Sequence, residues 1–357
     1  MLVQYYQPYA LSPGRLDRYL ASGWFRNSTL LFRSRVLCLE GEMLDVVNIR
    51  LPLQQYTFPH HLQKLWRRTQ RSFTTRIGPA RIDKDKNHLY HLHKKKFHGF
   101  IYPNLKQFLH SEGLQRVFNT WQVEVFDGEQ LIAYSFFDVG QQSISSIIGI
   151  YDEKYSRHSL GIYSMLAEVQ FALDNNMKYY YPGFIFNKPS PFDYKLRLGE
   201  YQTYDWKKGS WVKADKLETE SFSGRVILEN IHLLEDLLHS NKIRYQKKLY
   251  PYFSLGYIDS RIEPFVKAPV LILLTAPSPE HWVVVEYLPD DAVYMLSVME
   301  CCSSFDYILD QQEHMGSIRH KGELKRVYKY NELLAMSSDP NKMIQEIVVY
   351  FNRFQKK

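Results

Sequence analysis

A mixed α/β fold is predicted by three features of this 357-residue chain. Residues 131–197 read strand, strand, helix, strand; within them the apolar spacing switches from a strand pattern to a helical one; and 45% hydrophobic with 15% aromatic residues is enough to fill sizeable cores. The segments LIAYSFFDV and SISSIIGIY are apolar, β-branched or aromatic, and turn-prone residues at Asp127-Gly128 and Gly140 bound them, so they read as neighbouring strands joined by a tight turn. From Ser159 to Leu173 the residues Leu160, Tyr163, Leu166, Ala167 and Phe171 recur at helical spacing, with Ser156 or Ser159 as N-cap. Tyr179 to Phe186 supplies the third strand. A helix that starts where a strand ends offers free backbone N–H groups to an anion, which makes Tyr155 to Tyr163 the candidate junction.

Four strings in this order, EVFDGEQLIAYSFFDV, SSIIGIYDEKYSRHSLGIYS, KYYYPGFIF and FDYKLR, resemble the C-terminal half of the aminoacyl-tRNA-protein transferases. These are the arginyl- and leucyl-transferring enzymes of the N-degron pathway, whose patterns run close to LIAVxVVD, SSVYxxYDPxYxxxSLGxYS, YYYLGxYI and YKxxF. The resemblance implies a GNAT-like acyltransferase core with a mixed sheet. It also implies transfer of an amino acid from aminoacyl-tRNA to the N-terminal amine of an acceptor protein or peptide, with no cofactor. The expected organisation is a basic N-terminal lobe over 1–120, the GNAT-like core over 121–212 and an α/β C-terminal extension over 225–357.

Three cysteines, Cys38, Cys301 and Cys302, give no disulfide framework, and the opening residues lack the basic and apolar blocks of a secretory leader. No stretch reaches the roughly 18 to 20 apolar residues of a membrane span. A cytoplasmic protein with no membrane partner is the expectation. The net charge of +7 divides unequally: residues 1–120 hold 19 Lys or Arg against 7 Asp or Glu, and the remaining 237 hold 26 against 31. The first third is therefore the candidate polyanion-binding surface, a solvated basic surface being the plainer reading.

In chain order, Pro13-Gly14 marks a turn, Arg15 to Ala21 a short helix and Thr29 to Phe32 a strand. This segment is similar to the family's N-terminal pattern, CxYLPxRxxxxLLxxGFRRSGxxxYRPxCxxCxxC, with one large departure. Gln7 stands at the first cysteine and only Cys38 remains of the later group. One thiolate cannot hold a metal or a cluster, so no metal site is expected and Cys38 reads as packing.

Residues 54–76 form the densest arginine block. After Pro59, Leu62, Leu65, Trp66 and Phe73 fall near one helical face and Lys64, Arg67, Arg68 and Arg71 on another. The block resembles the family's SRSQRRVLRRN segment, which implies tRNA phosphate contacts; from the residues alone an ordinary surface helix is equally open. His88, His91, His93 and His98 cluster in sequence, but their spacing does not build a tetrahedron.

Asp138 ends an apolar strand, where a carboxylate is costly unless paired or at a site. It is a candidate for holding the acceptor ammonium and relaying its proton, with a structural turn or capping carboxylate as the other reading. Tyr194 and Lys195, in the segment similar to YKxxF, are the further catalytic candidates, and Arg197 the cation for phosphate or an acidic acceptor side chain. Acetyl-CoA-binding GNAT enzymes need a small residue where this chain has Tyr163, so a pyrophosphate cradle is disfavoured. Ser159, Gly161 and Tyr163 are assigned instead to the terminal adenosine phosphate of charged tRNA. Of Tyr179, Tyr180 and Tyr181, one face of the strand is expected in the core and the other to stack adenine; an aromatic-rich sheet explains them equally well. Pro182 suggests an edge or bulge.

Past Trp211 the resemblance fades. A helix over Ile227 to Leu249, strands at PVLILLT, HWVVVEYL and AVYMLSVM, and a closing helix over Lys342 to Phe354 are expected, with no functional motif. Two rival readings stand beside the transferase: an acyl-CoA-dependent N-acyltransferase, and a non-catalytic tRNA- or N-degron-binding relative.

Overall fold

The computed structural model describes residues 1–95, 102–109, 117–258, 264–278, 281–302 and 322–354. His98 lies outside them. The fold is mixed α/β around a large mixed sheet, whose strands are β4 (Val36–Leu39), β5 (Glu42–Pro52), β6 (Thr74–Pro79), β7 (Thr120–Asp127), β8 (Gln130–Val139), β9 (Ser143–Tyr151), β10 (Tyr179–Phe186), β11 (Gln202–Asp205) and β12 (Ser210–Lys213). Their order is β12-β11-β5-β10-β9-β8-β7-β6, with β4 pairing β5. Strands β7, β8 and β9 form an antiparallel meander, whereas β9 and β10 run parallel and are joined by the crossover helix α5 (Leu160–Asp174) that such a pair requires.

The β9–β10 pairing is short: Tyr179 opposes Ser143, Tyr180 opposes Ile144 and Tyr181 opposes Ser145. Next, Pro182 has no N–H to donate, and Gly183 takes φ +101°, a conformation that glycine alone adopts cheaply. The register slips there, and Gly183 to Phe186 continue against Ile49 to Val46 of β5. The bulge expected at Pro182 is thus found. From Ser146 on, β9 pairs with β8 alone among the described residues, so β9 and β10 splay into a wedge.

Each face of this sheet is covered by different elements. On one, α5 sets Leu160, Tyr163, Leu166 and Val169 in a core with Ile132, Phe137, Ile144 and Tyr180, and α2 (His60–Ser72) joins through Leu62, Leu65 and Trp66. On the other lie α1 (Pro13–Ala21) and the small sheet of β1 (Val3–Tyr6), β3 (Leu30–Ser34) and β2 (Phe25–Asn27). There Leu16, Leu20 and Leu31 pack with Tyr181. The helices α3 (Lys84–Lys94) and α4 (Leu105–Leu109) share a core with Tyr134 and Phe136 of β8. Each fully buried Leu or Val contributes about 1.5–3 kcal/mol, so neither face is free to peel away.

The last third forms a five-stranded antiparallel sheet, β13 (Gln246–Leu249), β14 (Val270–Ser278), β15 (His281–Leu288), β16 (Val293–Cys301) and β17 (Tyr328–Ser337), with α6 (Ser223–Ser240) and α7 (Pro340–Phe354). The helix expected to reach Leu249 stops at Ser240: the backbone turns at Lys242, φ +58°, and Gln246 to Leu249 pair with β14. Strand β17 was not expected; its polar, charged centre hid the pattern. This sheet shares one core with Leu2, Val3 and Val36 from the start of the chain, and the α6 start is held by Gly224 N–H donating to Asp45 Oδ1 at 2.6 Å. Among the described residues no helix is long and apolar enough to cross a membrane.

Glu286 of β15 is fully buried beneath the Tyr330 hydroxyl, which donates to it, and burial pushes its pKa up to about 7. A carboxyl raised in this way binds more protons folded than unfolded. Its stabilisation is therefore complete below the unfolded value and is lost as pH rises toward about 7. Urea titrations should show stability falling between about pH 5 and pH 8, and Glu286→Gln should flatten that fall by about 2–3 kcal/mol. An unchanged slope in the variant would remove Glu286 from the account.

Candidate active site

The wedge between β9 and β10 has a polar floor. Glu168 of α5 is fully buried, and the buried Tyr180 hydroxyl donates to its Oε2 at 2.8 Å. Its Oε1 has no hydrogen-bond partner among the described residues. Desolvation pushes the Glu168 carboxyl up to about 7, with the Tyr180, Ser135 and Ser146 hydroxyls holding it back from a larger rise. The same burial, with Glu168 beside it, drives the Tyr180 phenol well above its ordinary range. Glu168 was missed from sequence, although a signal existed: it is the one charged residue between Leu160 and Leu173.

Two tyrosines stand at the mouth. Tyr194 is 44% exposed and Tyr151 39%, yet the Tyr194 hydroxyl reaches far enough in to feel both Glu168 and Tyr151, and burial lifts its pKa to about 12. Lys195 lines the β10 wall. Its side chain is half-buried, but its ammonium is enclosed near the rings of Phe192 (4.8 Å) and Phe184 (5.4 Å) and donates to Phe184 O at 3.0 Å. That enclosure lowers its pKa to about 7. The Nζ lies 3.4 Å from where a Cβ on Gly183 would stand, so the bulge that opens the wedge also makes room for this ammonium.

The start of α5 adjoins the wedge. Ser159 has φ +55° and no side-chain capping bond, and Gly161 faces the Tyr151 ring, 3.6 Å from the position of an added Cβ. The first N–H groups of the helix are therefore not satisfied by their own cap, as an anion site requires. Helix α2 borders this start: Phe73, just past its C-terminus, packs on His158 at 5.1 Å and Tyr155 at 5.8 Å, and Trp66 on Tyr163 at 5.2 Å. Leu62, Leu65 and Thr69 are buried while Lys64, Arg67, Arg68 and Arg71 are exposed, so the cationic edge points to solvent along the α5 side. Arg197 is exposed at the end of the 193–198 turn.

The structure corrects three expectations. Asp138 is fully buried on the sheet face opposite α5, where Arg26 Nη1 and Thr120 Oγ1 each donate to its Oδ1 at 2.7 Å. It pairs with Ser145, beside the apex of the wedge, but its carboxylate lies on the far face of the sheet from Glu168 and is spent on Arg26 and Thr120. This is a structural ion pair, out of reach of an acceptor at the wedge. Tyr163 is also fully buried, its hydroxyl 2.7 Å from Thr75 Oγ1, and cannot meet phosphate. The tyrosine strand has no free stacking face: Tyr180 is spent on Glu168, and Tyr179 and Tyr181 pack with the Arg50 guanidinium, 3.9 Å over Tyr179, and with Trp211, 5.5 Å from Tyr181. Cys38 is half-buried and burial pushes its thiol up, which suits packing.

Residues 82–205 match the family described as arginine-tRNA-protein transferase, C terminus. Among curated proteins the chain is similar to those named aspartate/glutamate leucyltransferase. The likeness is 28% identity over 202 residues in Shewanella sp. strain MR-4, covering 55% of this chain and 81% of that protein. It is 24% over 208 residues in Helicobacter hepaticus, covering 56% and 83%, and 24% over 225 residues in Leptospira interrogans, covering 60% and 85%. Solved structures give a TM-score of 0.30 for L-PGS from Bacillus licheniformis, at 10% identity, and 0.30 for the C-terminal domain of a putative lysylphosphatidylglycerol synthetase from Agrobacterium fabrum, at 9%. The match covers 38% and 40% of this chain and less than half of each of those two, 45% and 49%.

Proposed function

This chain is a relative of the aminoacyl-tRNA-protein transferases, and on that premise we propose that it transfers an amino acid from a charged tRNA to the N-terminal amine of an acceptor protein in a cytoplasmic setting. A GNAT-like core over 121–212, a basic lobe over 1–120 that docks the tRNA and a bracing extension over 225–357 belong to this reading. The observation that carries it is the buried Glu168–Tyr180 pair at the floor of a wedge whose edge is an uncapped helix start bordered by a cationic helix.

The terminal phosphate of the tRNA sits against the N–H groups at Leu160 and Gly161 and its upstream backbone against Lys64, Arg67, Arg68 and Arg71. The acceptor amine enters the wedge as an ammonium for part of the time, since α-amino groups titrate near 8. Its proton passes by way of the Tyr194 or Tyr180 hydroxyl to Glu168, whose pKa near 7 matches the task. The free amine then adds to the ester carbonyl; the C–N bond forms, the C–O bond to the ribose breaks, and the ribose oxygen takes a proton. Lys195, close to half ionised near neutral pH, supplies it and takes in exchange the proton that the adduct nitrogen sheds as it becomes an amide.

Incubating the purified protein with labelled aminoacyl-tRNAs and peptides beginning with Asp, Glu, Arg or Lys tests the reading. Transfer supports it; acetyl-CoA turnover without transfer, or binding without transfer, replaces it with one of the two rivals. The docking face has its own test. Replacing Lys64, Arg67, Arg68 and Arg71 with Ala should weaken tRNA binding at least tenfold and flatten log K against log salt by about 0.7–0.9 for each phosphate no longer neutralised. A slope equal to wild type would clear α2 of the role.

A further inference from the structure

The wedge has a main-chain edge as well as a polar floor. Asp152 N–H donates to Ile132 O of β8 at 2.8 Å, and successive peptide groups of a strand point to opposite sides. Ile150 therefore turns its N–H and C=O to β8, while Gly149 and Tyr151 turn theirs toward β10. The β9–β10 pairing has already stopped at Ser145, so among the described residues no strand meets them. Gly149 and Tyr151 are both exposed, which leaves a free sheet edge open from the mouth.

The facing wall is not free in the same way. Asn187 N–H donates to Asp45 O of β5, so the same alternation turns Phe184 toward the wedge, and the Phe184 carbonyl already accepts from Lys195 Nζ at 3.0 Å. Of the two walls, β9 is the one left to pair.

The floor fixes where a chain on this edge begins. The Glu168 carboxyl feels the Ser135 and Ser146 hydroxyls, and Ser135 is the β8 residue that opposes Gly149. The floor therefore stands level with Gly149, and Tyr151 lies about 7 Å nearer the mouth. An acceptor whose amine is at Glu168 must run outward along the direction of β9, parallel to it. In a parallel pair, one residue donates its N–H to a carbonyl of the neighbouring strand and accepts at its own C=O from the N–H two residues further along that strand. Gly149 C=O and Tyr151 N–H form such a donor and acceptor set. With the first residue of the acceptor level with Gly149, the residue opposite Ile150, which uses both groups, is the second.

We infer that the acceptor enters the wedge as an added strand on β9, its second residue donating to Gly149 C=O and accepting from Tyr151 N–H. This rests on the acceptor reading above. Main-chain bonds select no side chain, so the second residue is free in kind as long as it has an amide N–H, and proline is rejected there. The aminoacyl end of the tRNA, which also carries an amine and a carbonyl, is the competing occupant.

The test needs no change to the protein. An unmodified peptide is compared with versions N-methylated at the second or the third residue and with one carrying proline second, by anisotropy without tRNA and by steady-state transfer. Loss of the second N–H, by methylation or proline, should weaken binding about tenfold, the worth of a main-chain hydrogen bond together with the bulk set against the edge. Methylation of the third residue, whose N–H points away from β9, should change binding by less than about twofold. KM should follow the same pattern, with tRNA affinity unchanged. Equal binding by all four peptides overturns the inference and leaves the edge to the aminoacyl end of the tRNA. Equal losses at the second and third residues also overturn it, as does an unmodified peptide that fails to bind. A loss confined to the second residue supports the edge whether or not transfer is seen, while an absence of transfer from every charged tRNA strikes at the function alone.

Discussion

Glu168→Gln is expected to slow transfer by about 10²- to 10⁴-fold, the usual worth of a positioned proton acceptor, while leaving the fold intact. Gln has the same shape and its carbonyl can still accept from Tyr180, so the change removes the proton site and little else. The pH profile makes the prediction specific. A carboxyl poised at about 7 becomes a base only as pH rises through that value, and Lys195, also near 7, is spent as an acid above it, so wild-type kcat/KM with pre-charged tRNA should climb to a maximum near pH 7 and fall above it. The climb should vanish in the variant. A variant that is slow but keeps the same limb would place the titrating group elsewhere, with Lys195 first in line.

Asp138→Ala is expected to remove about 3–5 kcal/mol of stability without lowering transfer per folded molecule. The side chains of Arg26 and Asp138 are 4% and 1% exposed, and deleting the carboxylate strands a guanidinium in the core. Arg26 has other bonds, to Ser28 O, Leu109 O and Thr120 Oγ1, but all are to neutral acceptors and none balances its charge. Urea unfolding of the single variant and of Arg26→Met/Asp138→Leu checks the argument, because removing both charges should recover a large part of the loss. Unchanged stability with collapsed activity would restore Asp138 to a role in catalysis.

The strand, helix and strand around the junction were legible because their apolar spacing is strong and local. The cationic edge of α2 was legible for the same reason: Leu62 and Leu65 recur at helical spacing with the arginines between them, and the structure exposes just those arginines. What failed depended on distant partners. Asp138 looked available because Arg26 stands 112 residues away in the chain. Tyr179 and Tyr181 looked like a free aromatic platform because nothing nearby announces Arg50 or Trp211, which the sheet order brings against them. Glu168 reads as one acid in an apolar helix until Tyr180 from the next strand is laid over it.

The shared packing of Leu2, Val3 and Val36 with strands beyond Val270 has a consequence for biosynthesis. At about 5–20 residues per second, a nascent polypeptide carries those first side chains for roughly 15 to 50 s before the ribosome delivers their partners. The α1 region can close on β8 to β10 early, but its opening strand is secured last. Newly made copies pass through a stage in which an apolar edge awaits its mate, and that stage is where chaperones or proteases have their opportunity.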